Sequence, residues 1–156
     1  MIDPDAIADA PGPAGREALR RRRTAIAEGR TLAVETTLAG SGPLRLMETA
    51  RGAGYRIVLH YVCVESSDQS LDRIRNRVAL GGHDVPEADV RRRFVRSLAN
   101  LPGAIARADD VLLYDNTDPD LPHREVAILT ADTWWTADVL PDWAAAALAA
   151  VPPPRG

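Results

Sequence analysis

Residues 56–64 read Arg56-Ile57-Val58-Leu59-His60-Tyr61-Val62-Cys63-Val64, apolar at nearly every position instead of at alternate ones. A strand with one buried face alternates, so this run predicts a strand covered on both faces, central in a sheet. Upstream, Thr31 to Thr37 (TLAVETT) is a shorter β-favourable run. Between the two, Gly40-Ser41-Gly42-Pro43 ends the first run and opens a helix, with proline at an early position where its missing N–H costs nothing. Leu44 and Met47 fall three apart on that helix's inner face. Residues 14–28 carry a helical pattern, with Leu19 and Ile26 on the apolar side and Gly29 as the stop.

Working downstream, Ser66 and Ser67 can cap a helix with Leu71, Ile74 and Val78 on its core stripe, and Gly81-Gly82-His83-Asp84 breaks it. From Pro86 to about Ala106 a further helix is expected, with Val90, Phe94, Leu98 and Leu101 recurring every three or four residues and Pro102 kinking or dividing it. Residues 110–117 and 124–130 read as further strands, and 141–150 as a last helix opened by Pro141. This alternation predicts one α/β domain over residues 1–150, a parallel sheet with helices on both faces, and a disordered tail over 151–156. In such a sheet ligands lie beyond the carboxyl ends of the strands.

Composition narrows the function classes. The chain has 156 residues, 46% hydrophobic and 26% charged, as an ordinary globular domain has. With 19 basic against 22 acidic residues and a net charge of −3, no bulk attraction to nucleic acid or anionic lipid is expected. Aromatic residues, at 4%, are few for base stacking. The lone Cys63 forms no internal disulfide and no apolar run reaches a membrane span, so a cytoplasmic address is expected. The acidic start MIDPDAIADA lacks the basic and apolar regions of a secretory signal and reads as mature protein from Met1. All 19 basic residues are arginine, so chemistry that needs a lysine is outside this chain. The three histidines, His60, His83 and His123, have no zinc spacing; His60 and Cys63 are expected in the core, and Trp134, Trp135 and Trp143 as packing residues near the last helix.

The topology puts the polar residues that follow strands around one rim: Glu35, Thr36 and Thr37, Ser66 and Ser67, and Asp115, Asn116 and Thr117. A carboxylate such as Glu35 at the end of an apolar strand needs a partner or a ligand. A second group is arginine-rich. Arg73 and Arg77 are one helical turn apart, as are Arg92 and Arg96, so each pair can converge on one anion. A Gly-Gly hinge between two such helices suits a lid that lowers guanidinium groups onto a phosphoryl group. The opposing expectation is a solvated helix face.

These segments also occur in a telling order. Asp3-Pro4-Asp5-Ala6-Ile7-Ala8, Ala33-Val34-Glu35-Thr36-Thr37-Leu38, Gly52-Ala53-Gly54-Tyr55, Arg77 through Gly81-Gly82-His83-Asp84-Val85-Pro86, Arg91-Arg92-Arg93-Phe94 with Arg96-Ser97-Leu98 and Asn100-Leu101, and Leu113-Tyr114-Asp115-Asn116 resemble the zeta toxin family of P-loop kinases. The resemblance spans roughly residues 2 to 117. It implies a P-loop kinase-like fold and phosphorylation of the sugar nucleotide UDP-N-acetylglucosamine on a hydroxyl, with ATP or GTP and magnesium. By the same resemblance Asp5 matches the acceptor of the hydroxyl proton, and Glu35, with Thr36 and Thr37 beside it, the part that holds the sugar nucleotide. Arg77, Arg92, Arg93 and Arg96 match lid arginines, and Asn116 a position near the nucleotide base. Partners implied are a small-molecule sugar nucleotide and an antitoxin-like protein.

The chain also departs from the pattern. The family carries, ahead of the Asp-x-Ile-Ala stretch, a first strand and a Gly-x-x-x-x-Gly-Lys-Ser/Thr loop that cradles phosphates; these residues contain neither, and Gly40-Ser41-Gly42 has the wrong spacing. The absent strand belongs between 31–37 and 56–64. Either those two runs pair directly, or their edges stay open and invite association. Activity is expected to be impaired in this chain alone, with a missing N-terminal segment as a further partner, and the alternative is an inactive remnant that binds a sugar nucleotide or a protein.

Overall fold

The computed structural model describes residues 13–131 and 133–151, so Asp5 and the tail from 152 lie outside the described residues. Helix α1 spans Pro13–Ala27 and α2 spans Gly42–Gly52, with Pro43 in its first turn. Strand β1 is Val58–Cys63. Helix α3, Ser67–Ala79, starts on Ser66, whose hydroxyl accepts from the Gln69 amide at 3.3 Å. That contact satisfies one of the amides a helix start leaves bare. Helix α4, Glu87–Ile105, runs as one element through Pro102, so the expected division there does not occur. Strands β2 (Asp110–Asp115), β3 (Arg124–Leu129) and β4 (Trp134–Thr136) and helix α5 (Asp142–Ala149) complete the order. None of the described helices is long and apolar enough to cross a membrane.

The α/β class holds, while the sheet differs from the expected one. Its order is β1-β2-β3-β4; only β1 and β2 are parallel, with Val58 opposite Asp110 and Cys63 opposite Asp115. Strand β3 turns back antiparallel to β2, and β4 antiparallel to β3. Only eight residues separate β2 from β3, too few for the helical crossover a parallel connection needs, so antiparallel pairing follows. Strand β4, formed by Trp134, Trp135 and Thr136, was not expected from sequence.

Strand β1 is at the edge instead of the centre. Residues 31–37 join no ladder, although their burial alternates with period two: Leu32, Val34 and Thr36 are half-buried, and Leu38 is buried. This run therefore has a strand's alternation without a strand's pairing. The core lies on one face of the sheet, where Tyr61, Cys63, Val111, Leu113 and Leu129 meet Leu101, Ala104 and Ile105 of α4 and Trp143, Ala144 and Ala147 of α5. Trp143 tilts against Tyr61 at 5.7 Å between ring centroids, the packing role expected of it. The other face is open along β1: Val58 and Val62 are about half exposed, and His60, expected in the core, is exposed and stacked on Tyr114. Trp134 and Trp135 are likewise exposed at the far edge.

Candidate functional site

A cavity of about 950 Å³ opens beyond the carboxyl end of β1. The end of the extended run (Glu35, Thr36, Thr37) and residues 61–64 form one wall, and the α3–α4 pair with its connecting loop forms the other. The wall at the end of the run is fixed by an unusual residue. Leu38 is buried yet has φ 59°, a left-handed conformation that costs a non-glycine residue roughly 1–2 kcal/mol. Surrounding contacts hold it there: its side chain joins the core, its carbonyl accepts from Asn100 Nδ2 at 2.8 Å, and its amide donates to Thr36 Oγ1 at 3.1 Å. By the run's period-two alternation Glu35 and Thr37 face outward, where both are exposed at the cavity's rim.

The opposite wall is built by helical phase. Arg73 and Arg77, one turn apart on α3, both line the cavity, and so do Arg93, Phe94 and Ser97 on α4. Arg73 donates to the Asn116 carbonyl, and Arg77 Nη2 donates to the His83 carbonyl at 3.1 Å. Arg93 is half-buried and has no ion-pair partner among the described residues, which leaves a cation facing the open volume. Arg92 and Arg96 fall on the outer side of α4. Arg92 pairs with Asp89 at 2.9 Å, and neither Arg92 nor Arg96 borders the cavity, which Asp89 does line. Arg91 instead ties α4 to α3 through Asp68 at 2.7 Å and pairs within α4 with Glu87 at 2.8 Å, and the hydrogen bonds it donates to Glu87 and Asp68 raise its already high affinity for its proton.

The floor is knitted by strand ends. The Asn116 amide donates to the Cys63 carbonyl at 2.7 Å, extending the β1–β2 pairing by one step, and Asn116 Oδ1 accepts from the His123 amide at 3.2 Å. Asn116 lines the cavity, with its side-chain carbonyl committed to the loop. Asp115 is buried beneath it. Burial works against its charge, but the hydrogen bonds from the Thr117 hydroxyl (2.6 Å) and from Arg124 (3.0 Å) outweigh burial and hold its carboxyl below the usual carboxylate range. Tyr61 Oη and Ser97 Oγ share a hydrogen bond of 2.9 Å at the cavity wall, and burial pushes the Tyr61 phenol well above its ordinary value.

Of the sequence-derived site residues, Glu35, Thr36, Thr37, Arg77, Arg93 and Asn116 therefore meet around one volume. Arg73, whose one-turn spacing from Arg77 had paired the two as anion-binding candidates, joins them, and so do Phe94 and Ser97, which were not singled out as site residues. The arrangement can hold a polar molecule with anionic groups, guanidinium forks on one side and a carboxylate and hydroxyls on the other. Among the described residues no group of three or more His, Cys, Asp or Glu side chains is placed to bind a metal ion.

No family model matches the chain, and no solved structure matches it. The chain is 33% identical over 81 residues to an uncharacterized protein of Haemophilus influenzae, a match that covers 52% of this chain and 58% of that protein.

Proposed function

We propose that this chain carries the acceptor side and the arginine lid of a P-loop kinase-like domain of the zeta toxin type. Its inherited reaction is transfer of a phosphoryl group from ATP or GTP to a hydroxyl of UDP-N-acetylglucosamine or a related small metabolite. One observation carries the reading: Glu35–Thr37, Arg77, Arg93 and Asn116, drawn from four separate motifs spread over 82 positions, border a single cavity. In that cavity Glu35 accepts hydrogen bonds from sugar hydroxyls, while Arg73, Arg77 and Arg93 offer planar donors to phosphate oxygens. Asp5 is the proton acceptor in this proposal, by resemblance alone.

The residues described do not fit the donor side. The chain contains no lysine and no Gly-x-x-x-x-Gly-Lys-Ser/Thr loop, and no acidic cluster among the described residues suits magnesium. No transfer step is therefore assigned to residues 1–156 alone. This mismatch favours a second reading, in which the chain by itself is a non-catalytic binder of a sugar nucleotide or of an antitoxin-like protein.

Calorimetric titration of the full chain with UDP-N-acetylglucosamine tests the shared core of both readings. Binding is expected, with a loss of roughly tenfold or more in Glu35→Gln, the scale of one charge-assisted hydrogen bond. Asp5→Asn should mostly spare binding, because a proton acceptor matters in the transition state. A folded chain that shows no heat at millimolar nucleotide would overturn the acceptor assignment. Robust turnover by the chain alone would overturn the donor argument.

A further inference from the structure

The two walls of the cavity stand on different parts of the chain, and one side chain joins them. Glu35, Thr36 and Thr37 precede Leu38 on one wall, whereas Arg93 and Ser97 belong to α4 on the other. Residues 93, 97 and 100 follow one another at spacings of four and three, so Asn100 continues the stripe of α4 that carries Arg93 and Ser97 to the cavity. Asn100 itself does not border that volume. Its side-chain amide has two N–H donors and faces two carbonyls, with Nδ2 at 2.8 Å from the oxygen of Leu38 and 3.3 Å from that of Gly40. A residue of α4 thereby closes the turn between Glu35–Thr37 and the start of α2 at Gly42.

The turn gripped in this way is the strained one. Leu38, at φ 59°, keeps a left-handed backbone of a kind that persists only where its surroundings over-determine it. Burial of the Leu38 side chain in the core fixes where the residue sits, while the bonds from Asn100 fix how its peptide groups are turned. Turning those groups re-aims the residues before them, and Glu35 lies three positions before Leu38. The same stripe of α4 is tied to β1 through Ser97 Oγ and Tyr61 Oη at 2.9 Å. Helix α4 is therefore held to β1 at one turn and to residues 38–40 at the next, with Arg93 one turn before both.

We propose that Asn100 is a positioning residue of the cavity: without touching the ligand, it sets the spacing between the Glu35 carboxylate and the arginine wall. What Glu35 does there rests on the acceptor reading given above; the tie between the walls does not. An aspartate at position 100 has no N–H to offer, and its carboxylate repels the two carbonyl oxygens. Asn100→Asp therefore keeps the shape of the side chain and removes its grip.

Two measurements on the full chain test the proposal. The first uses no ligand and follows amide hydrogen exchange by NMR. Asn100→Asp should speed exchange about tenfold or more at the Leu38 amide, which donates to Thr36 Oγ1, while the core amides of Leu113 and Val126 keep their rates. Unchanged exchange at Leu38 overturns the proposal. The second is a double-mutant cycle, read by calorimetric titration with UDP-N-acetylglucosamine. Asn100→Asp alone should weaken binding about tenfold, whereas adding it to Glu35→Gln should cost less than about twofold, because Asn100 acts through Glu35. A merely structural role costs the same in both backgrounds, so equal losses overturn the proposal. Should the wild-type chain bind no sugar nucleotide, the acceptor reading falls, and exchange at Leu38 alone upholds or removes the tie. Should Asn100→Asp fail to fold, which lost protection in the core will show, Asn100→Ala takes its place in both measurements.

Discussion

Asp115 carries more of the site's architecture than its position out of direct contact with the cavity suggests. Its carboxylate accepts from the Thr117 amide and hydroxyl and from Arg124, and the same Thr117 hydroxyl receives the Glu65 amide at 3.0 Å, so one buried charge joins the ends of β1, β2 and β3. Asp115→Ala leaves these donors without their acceptor, and a loss of about 1.5–3 kcal/mol is expected by urea denaturation. The pH dependence has a definite sign. The folded carboxyl is held below its unfolded value near pH ~4, so its stabilisation is complete above that value and is lost as pH falls through the lower, folded one. Wild type should therefore lose stability below about pH 4 more steeply than Asp115→Ala, as urea midpoints across pH 2–6 will read. Arg93 teaches a different lesson about single residues. In a run of three arginines the helical phase decides which one faces inward, and neighbouring Val90, Phe94 and Ser97 fix that phase. The sequence pattern holds that information, while a pairing rule based on one-turn spacing selected Arg92 and Arg96.

At the scale of elements, the hinge between α3 and α4 controls the arginine wall. Gly81 has φ 88°, and a Cβ at Gly82 would stand 2.6 Å from Arg77 Cγ and 2.9 Å from the Arg77 carbonyl oxygen. Neither atom is the free end of a flexible chain, so Gly82→Ala must displace Arg77, the residue whose guanidinium holds the His83 carbonyl. Gly82→Ala is expected to weaken sugar-nucleotide binding several-fold while the global melting temperature shifts little, because the hinge is exposed and lies apart from the core. Leu101→Ala, in the fully buried centre of α4, should do the reverse, costing about 2–5 kcal/mol of global stability. Helices were the legible elements: α1, α2, α3 and α5 follow from Pro43, the Ser66 cap, Pro141 and the three-to-four spacing of their apolar residues. Three strands, at 58–63, 110–115 and 124–129, were legible too, but 31–37 joins no ladder, β4 escaped, and strand position was not legible. The run 56–64 is apolar throughout, which ordinarily signals two covered faces, yet β1 lies at an edge with Val58 and Val62 half exposed. Composition reports what a strand is built to contact, whereas edge or centre depends on which other strands are present to pair with it. The antiparallel return of β3 escaped for a related reason, since alternation of elements was read without weighing the short β2–β3 connection.

For the whole molecule, the open edge of β1, the extended run 31–37 outside any ladder and the exposed valines belong to one side of the sheet. They lead to a prediction that takes in fold and function together. Fusing a first strand, phosphate-binding loop and helix borrowed from a zeta toxin-type kinase ahead of Met1 should change three properties at once. Strand insertion between 31–37 and β1 buries apolar surface at about 25 cal/mol per Å², so thermal unfolding should become sharper and move to higher temperature. The loop brings a lysine and a cradle of amides, so ATP with magnesium should stabilise the fusion by about 2.7 kcal/mol at a hundredfold excess over its dissociation constant. With donor held, Arg77→Ala and Arg93→Ala should lower turnover of UDP-N-acetylglucosamine far more than they lower donor affinity, because guanidinium groups facing the cavity act on charge that develops during transfer. Arg92→Ala and Arg96→Ala, off the cavity, should fall well short of that loss. The outcomes separate cleanly. A fusion that sharpens its melt but never binds ATP keeps strand pairing at the β1 edge and overturns the kinase reading. One that binds ATP and ignores every sugar nucleotide keeps the kinase fold and removes the acceptor assignment. One whose melt and amide protection at residues 58–62 match the unfused chain shows that the borrowed strand does not pair with β1, since a strand tethered beside that edge at high effective concentration would have filled it.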